Sequence, residues 1–130
     1  MSSSRVRIDT DGAPTAIGPY SQGIVSNGLL FCSGQIPVDP QTGELVGGGA
    51  GDQVRRCLDN LSAVCAEAGA ELADAVRITV YLTDMGAFAE VNEAYATYFG
   101  DPPPARVAIG VAALPKGAQV EVDAVVACVT

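Results

Sequence analysis

The sequence contains no histidine among its 130 residues. This absence excludes the most common general base of enzymes and most zinc sites. Basic residues are scarce as well, because seven Lys and Arg stand against fifteen Asp and Glu and leave a net charge of −8. Such a charge argues against a protein that binds nucleic-acid phosphates. Any chemistry must therefore depend on arginine, carboxylates, hydroxyls and backbone groups.

The four cysteines lack the spacing of a metal or redox motif. Cys32, Cys57, Cys65 and Cys128 lie in apolar segments, and no two of them form a CxxC pair. Cys57 and Cys65 are separated by about 12 Å along a predicted helix, which is too far for a disulfide. We therefore expect four reduced, buried thiols.

Length and composition predict a single domain that spans residues 1–130. A chain of this size buries about two-thirds of the surface that it exposes when unfolded. Its hydrophobic fraction is 48% and its mean hydropathy is +0.28, which is high for a small domain and favours contacts between subunits. The amino-terminal MSSSRVR has no hydrophobic core of a signal peptide and no run reaches transmembrane length, so we expect a cytoplasmic protein.

The hydrophobic periodicity predicts eight elements in the order β-β-β-α-β-α-β-β. Asn27-Gly28 between two apolar runs predicts a hairpin turn, and residues 34–51 are predicted to form a long loop. Asp52 is the predicted N-cap of the first helix, and Gly69 and Gly100 are the predicted stops of the two helices. The predicted strands cover residues 6–8, 20–26, 29–33, 75–82, 105–112 and 119–129, and the predicted helices cover residues 52–68 and 85–99.

The last predicted strand is apolar on both of its faces. Val120 and Val122 fall on one face, while Val125 and Val129 fall on the other. Two helices cover only one face of a sheet, so the other face needs a cover that this chain does not supply. Further copies of the same chain are the simplest cover, and we expect a homo-oligomer.

The stretch PPPARVAIG, residues 102–110, carries a single charge among small and apolar residues. The period of two places Arg106, Ala108 and Gly110 on one face of the strand. A hairpin between the last two strands, centred between residues 113 and 114, would place Arg106 opposite Glu121. This pair is then either a cross-strand ion pair worth up to about 1 kcal/mol or a site where arginine binds a carboxylate and Glu121 handles a proton or water. The residues alone leave both interpretations open.

Five stretches of the chain carry a family resemblance. They appear in family order and spacing and resemble the RidA/YjgF family of reactive-intermediate deaminases, from about Ile8 to Ala127. The stretches are AIGPYSQGI (16–24), FCSGQIPVDPQTGELV (31–46), CLDNLSAV (57–64), TVYLTDMGAFAEVNEAY (79–95) and PPARVAIGVAALPKGAQVEVDAVVA (103–127).

The resemblance implies an α+β fold of the bacterial chorismate-mutase type, with two helices on one face of the sheet. It also implies a homotrimer around a central barrel, with sites in the clefts between subunits. The implied activity is cofactor-independent hydrolysis of 2-imino acids and their enamine tautomers, such as 2-aminoacrylate, to 2-oxo acids and ammonia. The implied partner is this small molecule. Because of the net charge of −8 and the lack of a transmembrane run, we expect no nucleic-acid or membrane partner, and we expect no metal site.

Residue by residue, the resemblance implies that Arg106 binds the substrate carboxylate and that Glu121 orients and activates the attacking water. Tyr20, Ser33 and Gly34 are expected to line the cleft. Two of these residues also have ordinary structural interpretations. Tyr20 is also compatible with a core aromatic residue, and Ser33 with a strand-end hydroxyl that bonds to the backbone.

One position departs from the family pattern. Many members have cysteine two residues after the arginine, where this chain has Ala108, and the contact expected there is largely through the backbone. Thiol chemistry at that position is therefore excluded in this chain. Asn92 matches a recurring family position, and a structural hydrogen bond is the role we expect for it.

Three other functions remain open at this point. The first is a trimeric module that binds or senses small carboxylates without converting them, which would use the same Arg106 pocket. The second is a ribonuclease, which the lack of histidine and the charge of −8 disfavour. The third is a deaminase for another imine or enamine, since the sequence does not name the preferred side chain.

Overall fold

The computed structural model describes residues 4–128 and confirms the predicted order of elements. Short 3-10 turns precede β4, α2 and β6. The strands are β1 (Val6–Ile8), β2 (Gly23–Ser26), β3 (Leu29–Gln35), β4 (Ala75–Leu82), β5 (Ala105–Gly110) and β6 (Val120–Ala127), and the helices are α1 (Ala50–Glu67) and α2 (Phe88–Ala96).

Several predicted boundaries are wrong by a few residues. Strand β2 begins at Gly23 rather than at residue 20, β3 continues to Gln35, and β5 ends at Gly110. Helix α2 ends at Ala96 instead of residue 99, after a 3-10 turn that occupies the start of the predicted helix. The predicted end of β6 at Val129 lies outside the described residues.

The start of α1 differs from the prediction for an identifiable reason. Its N-cap is Gly49, not Asp52, and Asp52 occupies the third helical position. From there its Oδ2 accepts a hydrogen bond of 3.3 Å from the Gly49 backbone N–H. The carboxylate therefore stabilises the helix terminus from inside the first turn.

The sheet topology overturns the predicted hairpin between β5 and β6. The strand order is β1-β2-β3-β6-β4-β5, so β6 lies between β3 and β4 while β5 lies at the edge beyond β4. Helix α2 connects β4 to β5, and the two strands are parallel, as a helical crossover allows. Strand β6 pairs antiparallel with both of its neighbours. Strand β6 is therefore an inner strand of the sheet, as expected for a strand that is apolar on both faces.

The helices pack on one face of the sheet and form the core there. Strand β6 contributes Val120, Val122 and Val126 to this core, all fully buried. The other face, which we call the open face, exposes large apolar side chains: Phe31 is 46% exposed, Val107 40% and Ile109 46%. This open face is the surface for which sequence analysis predicts a cover by further copies, and that assembly stays a prediction.

Local features of the sheet confirm one prediction and correct another. Asn27 and Gly28 have φ values of 54° and 77°, as the hairpin turn predicted for them requires. The alternation of AVRITVYL, residues 75–82, predicts one face for Val76, Ile78, Val80 and Leu82. Val76 is nevertheless 47% exposed, because the register with β6 shifts between Ala75 and Arg77. This β-bulge leaves Val76 as the extra residue of the strand.

The cysteines have the state predicted for them: Cys32, Cys57, Cys65 and Cys128 are buried and free. Neither helix within residues 4–128 combines the length and the apolar character needed to cross a membrane.

Candidate functional site

The Glu121 side chain lies on the open face of β6, above Gly34 of β3. Its carboxyl group and Cγ occupy the space where a Cβ at position 34 would project, so only glycine leaves room for them. Ser33 and Gly34 fall where the register between β3 and β6 shifts, between Cys32 and Gln35. Bulges of this kind commonly redirect side chains next to active sites.

A cavity of about 760 Å³ brings together four of the residues predicted for the site. Tyr20, Ser33, Gly34 and Glu121 all line it. Tyr20 is 52% exposed, so it is not a core aromatic residue. The remaining wall is mostly apolar and includes one basic residue: Pro14, Thr15, Ile17, Gln35, Ile36, Val38, Pro40, Gly43, Pro115 and Lys116.

Ser33 makes the backbone contact that its structural interpretation predicts. Its hydroxyl donates a hydrogen bond of 2.6 Å to the Ser21 carbonyl, and its backbone N–H donates to the Gln22 carbonyl at 2.9 Å. These bonds join β3 to the segment that carries Tyr20. The hydroxyl oxygen keeps acceptor capacity for a ligand in the cavity.

Two buried amides that sequence analysis overlooked position the loops around this cavity. Gln22 is 2% exposed; its Oε1 accepts from the Thr10 backbone N–H at 2.7 Å and its Nε2 donates to the Pro14 carbonyl at 2.8 Å. Asn60 of α1 donates to the Val38 carbonyl at 3.0 Å. Each occurs inside a motif already quoted, GPYSQ or CLDNL, but a single sequence does not show which polar residue of a motif is buried.

The environment of Glu121 favours its protonated form more than water does. Burial raises the pKa of the Glu121 carboxyl group, and the negative charge of Asp123 adds to this effect. Tyr81 donates a hydrogen bond of 2.9 Å from its hydroxyl to Asp123 Oδ2. This bond, together with burial, raises the pKa of Tyr81.

Arg106 lies on β5 at the edge of the sheet and contacts α2. Its Nη1 donates a hydrogen bond of 2.6 Å to Asn92 Oδ1. The guanidinium carbon lies 5.4 Å from the ring centroid of Phe88 and 4.9 Å from that of Tyr95. Each cation–π contact of this kind contributes about 0.5–1 kcal/mol at an exposed position. The guanidinium group is thus oriented by one amide and two rings.

A second cavity, of about 420 Å³, borders this arginine and is lined by Asn92, Tyr95, Ala96, Phe99, Pro103, Pro104 and Arg106. Asn92, for which only a structural hydrogen bond was predicted, makes that bond to the candidate catalytic residue. Burial raises the pKa of Tyr95 and the charge of Arg106 opposes the shift.

Two small residues, Ala108 and Gly110, share a face of β5 with Arg106. Ala108 pairs with Val80 and Gly110 pairs with Leu82, so both lie on the helix side, as Arg106 does. A Cβ at Gly110 would lie 3.1 Å from Cγ of Met85. The period of two predicts open space beside the Arg106 cation at the small residues of this face, but at Gly110 that space is taken by Met85.

Arg106 and Glu121 do not form the predicted cross-strand pair. Glu121 is opposite Tyr81 of β4, and Arg106 is opposite Ile78 on the other side of that strand. Since Ile78 is fully buried under the helices and Glu121 lies on the open face, the two charged side chains are on opposite faces of the sheet. The ion pair is excluded within one copy of the chain.

The structure thus divides the predicted site into two parts, which we call the glutamate half-site (Tyr20, Ser33, Gly34 and Glu121) and the arginine half-site (Arg106, Asn92, Phe88 and Tyr95). Among residues 4–128, no group of three or more His, Cys, Asp or Glu side chains is arranged to bind a metal ion.

Comparisons with known proteins agree on one family. The chain matches the family described as Endoribonuclease L-PSP over residues 10–128. A RutC family protein of Pyrococcus horikoshii is 51% identical, and the alignment covers 91% of this chain and 94% of that protein. The 2-iminobutanoate/2-iminopropanoate deaminase of mouse is 45% identical, with 91% of this chain and 87% of that protein covered.

A solved structure of a Rid family protein from Yersinia pestis superimposes with a TM-score of 0.92 at 44% sequence identity. The superposition covers 95% of this chain and 99% of that one. Its agreement confirms the α+β fold with two helices on a six-stranded sheet. This chain therefore belongs to the Endoribonuclease L-PSP family, the RidA/YjgF family that its motifs resemble.

Proposed function

We propose that this protein hydrolyses 2-imino acids, and the enamines in equilibrium with them, to 2-oxo acids and ammonia. The observation that carries the proposal is the Arg106 guanidinium, oriented by Asn92 and by two aromatic rings and hydrogen-bonded to a neutral amide. Relatives at 44–45% identity in mouse, rat and human bear the name 2-iminobutanoate/2-iminopropanoate deaminase.

Arg106 has the geometry to bind a substrate carboxylate at two points. Its contact with Asn92 uses Nη1, and the Nε–Nη2 edge presents two parallel donors that match the two oxygens of a carboxylate. Lysine lacks this planar pair of donors. The carboxylate common to all 2-imino acids would thereby fix the position of the adjacent C=N carbon.

Glu121 is the candidate acceptor for the proton of the attacking water. Water adds to the carbon of the protonated imine while one of its protons passes to Glu121, and a carbinolamine forms. Glu121 returns that proton to the amino nitrogen, ammonia leaves, and the carbinolamine hydroxyl gives its proton to Glu121 as the C=O of the 2-oxo acid forms. Glu121 then releases this proton to the departing ammonia, so that one water is consumed for each ammonium released. A carboxyl group whose pKa is raised by burial and by Asp123 is a better base for this step than an exposed one.

The two half-sites lie on opposite faces of the sheet, so one copy of the chain does not complete a site. We infer that Arg106 of one copy joins Glu121, Tyr20, Ser33 and Gly34 of another, in a homotrimer. The apolar open face supports this assembly, because exposed Phe31 is a side chain that oligomeric contacts bury. The cavity above Gly34 would then face the arginine half-site across the subunit boundary.

The test is to generate imino acids in situ from amino acids with an excess of amino-acid oxidase and to measure the release of ammonia and 2-oxo acid. We expect the protein to accelerate both, and we expect Arg106→Ala to return the rates to the uncatalysed value. Binding of 2-oxo acids with no acceleration would instead support a non-catalytic binding module. Cleavage of RNA by the same preparation, lost in Glu121→Gln, would support the ribonuclease, which the net charge of −8 disfavours.

A further inference from the structure

Glu121 belongs to a row of polar side chains on the open face that the proposed reaction does not yet explain. Asp123 lies two residues along β6 and therefore on the same face. Tyr81 of β4 is the direct cross-strand partner of Glu121, and Thr79 is the partner of Asp123. These four side chains form one patch next to the glutamate half-site.

Within this patch Tyr81 is opposite one acidic residue and hydrogen-bonds to the other. Although it is the cross-strand partner of Glu121, its hydroxyl donates its hydrogen bond diagonally to Asp123 Oδ2 at 2.9 Å. This hydrogen bond holds the Asp123 carboxyl group in a defined position on the same face of β6 as Glu121.

We propose that Tyr81 and Asp123 are positioning residues for Glu121: the Tyr81 hydroxyl holds the Asp123 side chain in place on the open face, and the charge of Asp123 acts from there on the Glu121 carboxylate. This inference rests on the proposed role of Glu121 in the hydrolysis. Asp123 contacts neither substrate nor water in this scheme and acts through the field at Glu121.

Other titratable groups lie near Glu121. Tyr20 and Lys116 share its cavity, and the Cys57 thiol on α1 responds to its charge from the helix side. The pKa of Glu121 is raised chiefly by burial and further by the negative charge of Asp123.

Because the Asp123 charge raises the pKa of Glu121, its removal shifts the pH profile in a defined direction. The reaction needs Glu121 ionised, so kcat/KM falls as the pH drops through the pKa of this group. Asp123→Asn removes the neighbouring charge, lowers that pKa and moves the acidic limb of the kcat/KM profile to lower pH, by about half a unit or more. Asp123→Glu keeps the charge, and the acidic limb of its kcat/KM profile stays close to that of the unmodified protein.

The experiment compares pH profiles of the unmodified protein, Asp123→Asn, Asp123→Glu and the control Glu71→Gln. The control also removes one carboxylate, but Glu71 precedes the opposite end of β4. Tyr81→Phe, which loses the hydrogen bond to Asp123, is expected to shift the limb in the same direction as Asp123→Asn. A profile of Asp123→Asn that superimposes on that of the unmodified protein overturns the inference and leaves the proposed function intact.

A second measurement does not depend on turnover. Carbon-13 NMR of protein labelled at the glutamate side-chain carboxyl gives the titration of Glu121 directly, with Glu121→Gln used to assign its resonance. We expect this titration to move to lower pH in Asp123→Asn and not in Glu71→Gln. An unchanged titration refutes the inference even if no imino acid is hydrolysed, a result that would refute the proposed function separately.

Discussion

Arg106 and Glu121 lie on opposite faces of one sheet, separated by strand β4. Arg106 points to the helix side, where it contacts Asn92, while Glu121 lies on the open face above Gly34. No rotation of side chains brings them together, because the backbone of β4 is between them. If both act on one substrate, they must come from different copies of the chain.

This relationship predicts complementation between two inactive variants. Arg106→Ala and Glu121→Gln are each expected to be inactive alone. When they are unfolded, mixed in equal amounts and refolded together, random closed trimers should recover about a quarter of the original activity, because one site in four receives both intact residues. The measurement is the rate of 2-oxo acid formation after refolding.

The control for this experiment mixes Arg106→Ala with the double variant Arg106→Ala/Glu121→Gln. No intact arginine half-site exists in that mixture, so its activity should stay at background. If the first mixture contains hybrid trimers by native mass spectrometry and is still inactive, the site is not shared between copies.

A separate prediction concerns the planar guanidinium group of Arg106. Arg106→Lys keeps the charge but loses the pair of parallel donors, so we expect kcat/KM near background in a protein of normal fold and assembly. Asn92→Ala removes the 2.6 Å contact that orients the group, and we expect a smaller loss, mainly as a raised KM. Retention of most of the activity by Arg106→Lys would refute two-point binding, and unfolding of Arg106→Ala would assign the residue a structural role.

The order of elements could be predicted from the sequence because it depends on local periodicity. The alternation in β4 and the helical spacing in α1 are properties of neighbouring residues. The partner of β5 is not a local property: the short connection from Gly110 to Val120 is compatible with a hairpin and equally with a crossing over the end of β4. Choosing the hairpin placed Arg106 beside Glu121, and that choice is wrong.

The smaller errors of the sequence-based prediction also arise where a residue's surroundings depend on other elements of the fold. The exposure of Val76 depends on a bulge opposite β6, and the role of Asp52 depends on where Gly49 begins the helix. The Arg106–Asn92 contact could be predicted only if the packing of α2 beside β5 were known. Motif resemblance indicated Tyr20 and Glu121 as site residues, but only the fold shows that they line one cavity.

The close approach of Glu121 to Gly34 predicts a selective effect of one methyl group. Gly34→Ala places a Cβ where the Glu121 carboxyl group lies, so the carboxyl group must move. We expect a loss of kcat of about tenfold or more, since a displacement of about 1 Å is costly in catalysis. The measurement is steady-state imine hydrolysis together with thermal unfolding.

Gly47→Ala is the matched control, because a Cβ at position 47 meets no atom within 4 Å. It should keep full activity. Normal kcat in Gly34→Ala would show that the position of Glu121 is not critical.

The four buried cysteines are expected to affect stability and not chemistry. Replacing Cys32, Cys57, Cys65 and Cys128 by alanine leaves small voids in the core and should lower the free energy of unfolding by about 1 kcal/mol at each site. The activity per folded protein should be unchanged. Urea unfolding and imine hydrolysis measure the two quantities, and loss of turnover in a folded quadruple variant would reveal an overlooked thiol function.

The open face predicts the assembly and the way to disrupt it. We expect sedimentation equilibrium to give three times the chain mass of 13.2 kDa. Phe31 is 46% exposed on this face, and a charge there would have to be buried in the trimer without a partner, which is costly. Phe31→Asp should therefore dissociate the protein and abolish turnover, because the two half-sites then separate. Ala66→Asp adds the same charge on the exposed side of α1 and should leave the trimer intact. A single-chain mass for the unmodified protein, together with full activity, would refute both the assembly and the shared site.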